Sequence, residues 1–338
     1  MDLLGDVLRV AGVRGTVAAT VHAGDPWGLR LFRISAAAFH AVTAGTAWLR
    51  LPGQPPLRLM PGDVVLLPTG SEHGLAGDPD GPLEPFDHAV SKAALASDGR
   101  LDVGTLPART RILCASYRHD PAVTTPLFTL LPEVVHIPAG TPGAGPLADT
   151  LRLLSGELTE PGPAATTLLD RLVDVLLIQV LRAWLRAAPT TPSISWLRAL
   201  NDPTISAALT ALHSDPGRAW TLTSLADHVA VSRATLARRF PALVGETPAA
   251  YLTRWRMDLA ARALRDTDDP IGVIAHAVGY TSEYAFSRAF SRDRAIPPGR
   301  YRAQSRTRPA AGADGSGDAS AVTRAAGRGR RPSSPRRR

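Results

Sequence analysis

Two stretches of the chain carry an arginine at the same distance from a serine. Ser232-Arg233-Ala234-Thr235-Leu236-Ala237-Arg238 and Ser282-Glu283-Tyr284-Ala285-Phe286-Ser287-Arg288 each place a guanidinium six residues after a hydroxyl. A guanidinium is a planar fork of donors that fits a phosphate, or the O6 and N7 acceptors of guanine in a major groove. A serine at the head of such a run is suited to cap a helix N-terminus. Leu236 with Phe240, and Phe286 with Phe290, then form an i,i+4 apolar face, with Arg238 and Arg288 projecting from the other side. A core accounts for the apolar face and leaves the arginines without a structural reason.

The elements needed to position these side chains are written in a longer repeat. Leu225-Ala226-Asp227-His228-Val229-Ala230-Val231 precedes the first serine run, and Ile274-Ala275-His276-Ala277-Val278-Gly279-Tyr280 precedes the second about fifty residues later. Ala226 and Ala275 are small where two helices approach closely, and Ala230 and Gly279 mark the turn between them. Each copy reads as a helix-turn-helix unit whose second helix enters a major groove.

Over about residues 196–302 the sequence resembles the AraC/XylS family of bacterial transcription regulators. Further stretches carry the resemblance: Trp220-Thr221-Leu222, Gly245-Glu246-Thr247-Pro248, Tyr251-Leu252-Thr253-Arg254-Trp255-Arg256-Met257 and Pro297-Pro298-Gly299-Arg300-Tyr301-Arg302. It implies seven helices, with a long one at about 248–265 holding the two units apart. Eighteen residues span about 27 Å, compatible with two recognition helices in successive major grooves about 34 Å apart. Positions matching the family's DNA-facing ones are Ser232, Arg233, Ala234, Ala237 and Arg238 in the first unit and Ser282, Glu283, Tyr284 and Arg288 in the second. The implied partners are a bipartite promoter site in double-stranded DNA, a small-molecule effector, a second copy in a homodimer, and RNA polymerase; the implied outcome is activation. The sequence departs from the family at Arg294-Ala295-Ile296, where an aromatic and a glycine are usual, so looser local packing is expected, with Ile296 filling the gap.

The first half has a different grammar. From Val17 to His136, short apolar runs alternate with turn signals such as Gly24-Asp25-Pro26, Pro52-Gly53 and Pro61-Gly62-Asp63, which reads as many short strands. Val64-Val65-Leu66-Leu67 is apolar throughout, as in a strand buried on both faces. The run from Gly62 through Pro68 and Gly70 to His73 resembles the second motif of the cupin superfamily. The partner motif there has two histidines one residue apart followed by a glutamate; here Phe39-His40-Ala41-Val42-Thr43-Ala44-Gly45 offers one histidine and no glutamate. A metal site from His40, His73 and His22 would need three or more ligands. The expectation is a barrel without metal whose mouth holds a small effector, with His40, Trp48 and His73 as lining. The competing reading is a metal-dependent cupin enzyme with a DNA-binding appendage. No catalytic residues are assigned, since no Ser/His/Asp set, phosphate-cradling glycine loop or paired acids stands out.

Residues 147–187 read as mainly helical. Leu169, Val173, Leu176, Val180 and Trp184 form one apolar stripe, and Leu168, Leu172, Ile178, Leu181 and Leu185 widen it into a face fit for a homodimer contact. Ala187-Ala188-Pro189-Thr190-Thr191-Pro192-Ser193 has linker composition. The division is therefore 1–187 for a cupin-like sensing and dimerisation domain, 188–195 for a linker, 196–305 for an all-α DNA-binding domain, and 306–338 for an arginine-rich tail, a multidomain α+β chain.

Charge divides along the same boundaries. The net charge of +8 over 338 residues resolves into −3 for residues 1–195, +4 for 196–305 and +7 for 306–338. The tail lacks the apolar residues to offset its ordering entropy and is expected to be disordered. A non-specific nucleoid binder driven by that tail is a third reading. The single cysteine, Cys114, excludes an intrachain disulfide framework and any CxxC zinc site. With no signal-peptide pattern and no long apolar run, a cytoplasmic location without membrane contact is expected.

Overall fold

The computed structural model describes residues 2–86, 99–118, 128, 131–187, 199 and 202–307. The expected linker, and the tail from residue 308 onward, lie outside the described residues. The chain opens with α1 (Leu3–Val10), followed by eleven described strands: β1 (Arg14–Gly24), β2 (Gly28–Leu31), β3 (Ala37–Ala44), β4 (Ala47–Arg50), β5 (Leu57–Leu59), β6 (Val64–Leu67), β7 (His73–Ala76), β8 (Glu84–Pro85), β9 (Arg100–Gly104), β10 (Thr110–Arg118) and β11 (Val135–Ile137). They form two sheets, in the orders β11-β6-β3-β10-β1-β9 and β5-β4-β7-β2-β8. Only β1 with β9 and β2 with β8 run parallel; the other pairings are antiparallel.

Strand alternation decides what lies inside. In β6, Val65 and Leu67 face the second sheet together with Val42 of β3 and Ile112 of β10. Val64 and Leu66 face the opposite way, with Phe39, Leu113 and Tyr117, toward the helices. The four-residue apolar run is thus buried on both faces, because the larger sheet is a shared wall between an inter-sheet core and a helix-packed core.

The helical expectation for 147–187 resolves into two helices, α2 (Gly145–Thr159) and α3 (Ala165–Ala187). Pro161-Gly162-Pro163 interrupts them, since proline cannot continue a helix and its neighbours favour extended backbone. Helix α3 lies on the outer wall face with Val173, Leu176, Val180 and Trp184 buried. Two polar anchors fix its height there: Tyr117 Oη donates to the Val173 carbonyl at 2.9 Å, and the Gly15 amide donates to Asp174 Oδ1 at 2.8 Å.

Among the described residues seven helices follow residue 202: α4 (Pro203–Ser214), α5 (Leu222–His228), α6 (Arg233–Val244), α7 (Pro248–Asp266), α8 (Ile271–Ala277), α9 (Glu283–Arg294) and α10 (Pro298–Thr307). Leu225, Leu236, Phe240, Tyr251 and Trp255 close the core of the first unit, which is continuous with the outer wall core through α1. Met257, Leu264, Ile274, Phe286, Phe290 and Tyr301 form a separate core for the second. Helix α7 contributes to both, so it is the axis on which the two units are mounted.

Candidate functional site

Each unit is built as its residues require. Thr221 and Ser224 form a capping box that starts α5. Ser232 Oγ accepts from the Thr235 amide at 3.0 Å to start α6, and Ser282 Oγ accepts from the Ala285 amide at 3.4 Å to start α9. The turns at Ala230 and Gly279 are both left-handed, with φ of 56° and 85°. Ala226 and Ala275 are buried where the paired helices meet. The two serines therefore act through the backbone, fixing where each recognition helix begins.

The outward faces follow from this phase. Arg233, Ala234, Ala237 and Arg238 are exposed on α6, and Glu283, Tyr284 and Arg288 are exposed on α9. Several other arginines of this domain are committed to the fold. Arg239 pairs with Asp202, Arg254 with Glu246, and Arg262 and Arg265 with Asp266. Arg256 donates to the Pro216 and Arg218 carbonyls. By contrast, Arg233, Arg238 and Arg288 form no ion pair with any described residue. The nineteen residues of α7 span about 28 Å and hold the two faces apart.

Sequence reasoning missed several residues on the same surface. Ser287, Ser291 and Arg292 join Tyr284 and Arg288 around a shallow cleft of about 370 Å³. The available signal was helical spacing: Ser291 and Arg292 lie at i+3 and i+4 from Arg288, and Ser287 at i+3 from Tyr284. It also misjudged Arg294, which is buried against Asp258 and Asp293 rather than loosely packed. Ala295 takes the left-handed cap position with φ of 59°, and Ile296 packs against the second core as expected.

In the sensor half the structure brings His40 and His73 together and separates Trp48 from them. Ala47 and Leu49 of β4 point into the inter-sheet core, so alternation turns the half-exposed Trp48 to the other face. This corrects the expectation of a common lining. His40 and His73 are joined by contacts that determine their protons. The Ser71 carbonyl can only accept, so His73 Nδ1 donates to it at 2.7 Å, leaving His73 Nε2 as an acceptor. His40 Nε2, 2.9 Å away, is then the donor to His73 Nε2, and His40 Nδ1 accepts from the Cys114 thiol at 3.1 Å. Burial lowers the pKa of both rings, with His73 lowering that of His40 further, and burial pushes the Cys114 thiol up to about 12.

This network does not fit a cupin metal. The lone pair of His73 Nε2 is engaged by His40, and Cys114 lies at the opposite edge of the His40 ring. Among the described residues no three His, Cys, Asp or Glu side chains converge as ligands. His22 sits out of phase with the inward-facing Val21 and Ala23 of β1.

Residues 2–186 match the family model described as Cupin, and residues 225–304 match that of a helix-turn-helix domain. A putative AraC-like transcription regulator of Streptomyces lividans is 40% identical over 303 residues, covering 89% of this chain and 98% of the relative. The HTH-type transcriptional regulator AlkR of Acinetobacter baylyi is 32% identical over 308 residues, covering 90% of this chain and all of the relative. Among solved structures, an AraC-type DNA-binding domain protein from Chromobacterium violaceum aligns with 33% of this chain at 27% identity and a TM-score of 0.31. A cupin domain and a helix-turn-helix domain in this order, in a chain alike over nearly its whole length to such regulators, make the protein a member of the AraC-like DNA-binding transcription regulators.

Proposed function

We propose that one chain reads a bipartite site in double-stranded DNA, with α6 and α9 in successive major grooves. The observation that carries this reading is the matched pair Arg238 and Arg288, exposed, free of ion pairs and mounted at equivalent positions on two helices that share α7. Guanine is the base each takes. Arg233, Ala234, Ala237, Glu283 and Tyr284 complete the two base-facing surfaces, and Ser232 and Ser282 place the helix N-termini against phosphates. The 1–187 domain senses a small effector and forms a homodimer through α3, where Leu168 and Val175 are exposed beside half-buried Leu172. The protein acts in the cytoplasm as an activator in contact with RNA polymerase. Among the described residues no helix is long and apolar enough to cross a membrane.

The test is selection of bound DNA from a random library at physiological salt, with the full chain and with a variant ending at residue 307. A motif with two half-sites about 10 base pairs apart, retained without the tail, is the expected result. Salt-sensitive binding that yields no motif and is lost with the tail would assign binding to the arginine run instead.

A further inference from the structure

The two recognition faces are unequal, and the inequality has a chemical meaning. Position for position, Ala234 corresponds to Tyr284, Ala237 to Ser287 and Arg238 to Arg288. Beyond its arginine, the first helix offers methyl groups at these positions. The second offers an aromatic ring, hydroxyls and a further cation, Arg292, around one cleft. Tyr284 is 71% exposed and serves neither core nor cap. Four residues on, the Arg288 guanidinium lies 5.8 Å from the centre of that ring. A cation held over an aromatic face is partly pre-oriented, and the edge of the ring remains free for an apolar contact.

In the major groove the apolar feature of the bases is the 5-methyl group of thymine. We infer that Tyr284 and Arg288 act as one reader of adjacent base pairs, Arg288 taking a guanine and the Tyr284 ring taking the methyl of the neighbouring thymine. The first half-site shares the guanine, through Arg238, and is the more tolerant at the neighbouring pair, because there Ala234 offers one methyl in place of a ring. The two half-sites are therefore unequal in information, and this sets the orientation of the protein on its site. The inference rests on the DNA reading proposed above, and concerns which bases that reading selects.

Removing only the thymine methyl tests it. The full chain is used to select bound DNA, and the thymine beside the second half-site guanine is then replaced by deoxyuridine, which pairs identically. Loss of one buried methyl corresponds to about fourfold weaker binding. The wild type is expected to show that loss, Tyr284→Phe to retain it, and Tyr284→Ala to bind both DNAs equally. Since Tyr284 is exposed, Tyr284→Ala is expected to unfold at the wild-type midpoint, which separates a reading role from a folding defect. A bipartite motif with no thymine beside that guanine, or one whose deoxyuridine form binds the wild type equally, overturns this inference alone. A Tyr284→Ala protein that still discriminates does the same. Failure to recover any motif overturns the underlying DNA reading as well.

Discussion

Arg294, the last residue of α9, is ion-paired with Asp258 in the middle of α7, and both side chains are shut off from solvent, with 3% and 0% of their surface exposed. Asp258 also lies 3.9 Å from Arg254, whose guanidinium bonds Glu246 just beyond the end of α6. A line of alternating charges thus crosses α7 and ties together the C-terminal ends of both recognition helices. A buried ion pair is costly to break on one side, because the surviving charge stays out of water and has lost the partner that offset its desolvation. Asp258→Ala is expected to destabilise the protein by about 3–5 kcal/mol, and Arg294→Met with Asp258→Leu to recover most of that loss. Urea unfolding of the two variants checks this; equal destabilisation by both would show that shape, not charge, matters at this crossing.

Arg238→Ala and Arg288→Ala remove exposed groups that the fold does not use, so both proteins are expected to unfold at the wild-type midpoint. Each is expected to weaken binding to the selected site by about 1–3 kcal/mol and to relax selectivity at a single base pair. Binding measured against a panel of single-base variants reports it. A uniform loss over all sequences, with a salt dependence shallower by about one ion, would make the arginine a phosphate contact.

These two sets of arginines show what could be read from the sequence and what could not. Arg238 and Arg288 were legible because everything that places them is local: a serine cap, a turn residue and an apolar i,i+4 pair within one repeat. The role of Arg294 was not, because its partner is 36 residues away on another helix. The strands between turn signals were legible for the same local reason. Trp48 was misplaced because a strand's alternation says which residues share a face, and only the pairing of the sheets says which face is inside. The N-terminal residues read merely as lacking a signal peptide; that Leu3–Val10 forms a helix packed against α4 and α7 depends on surfaces supplied two hundred residues later.

Left-handed alanines offer a gain in stability. Ala230 has φ of 56° in the first turn, where the second unit has Gly279 with φ of 85°. A Cβ in this region costs about 1–2 kcal/mol, and glycine returns part of it as lost chain entropy. Ala230→Gly is expected to stabilise by about 0.5–1 kcal/mol. Gly279→Ala is expected to do the opposite, since its Cβ would come within 2.7 Å of the Gly217 carbonyl oxygen, which is backbone and cannot turn aside. Thermal midpoints of the two variants moving in opposite directions would bear this out; a lower midpoint for Ala230→Gly would refute it.

Three buried histidines give stability a definite dependence on pH. His40 and His73 are held neutral mainly by burial, and a proton added to either would set two N–H donors face to face or leave the Cys114 thiol without an acceptor. His213 is lowered to about 3 by burial and by Arg254, while its Nδ1 faces Asp6 Oδ2 across 3.8 Å and its Nε2 meets the Tyr251 hydroxyl. Each native pKa lies below the unfolded value of about 6.5, so below that pH the unfolded chain binds more protons. Stability is then fully present above about pH 6.5 and falls as the pH drops. Unfolding free energies measured between pH 8 and pH 5 are expected to decline toward acid, and a His40→Leu, His73→Leu protein to decline less steeply. A flat profile for the wild type would mean that these rings take up protons as readily in the native state as in the unfolded chain.

The outer face of α3 leads to the last prediction. Leu168 and Val175 are 46% and 41% exposed, and with half-buried Leu172 between them they run along one side of the helix at spacings of four and three. That spacing is the seam on which two helices pack side by side. The neighbouring face of α3 is already occupied by the wall of the larger sheet, through Val173, Leu176 and Val180. An apolar seam left over after the fold is complete loses free energy in water unless a second surface covers it. Leu168→Glu with Val175→Glu is expected to leave the midpoint of unfolding in dilute protein near the wild type and to convert a dimer into a monomer. Sedimentation equilibrium over a range of concentrations distinguishes the outcomes. A wild type that sediments as a monomer throughout would refute the dimer, and a variant that still dimerises would place the subunit contact elsewhere.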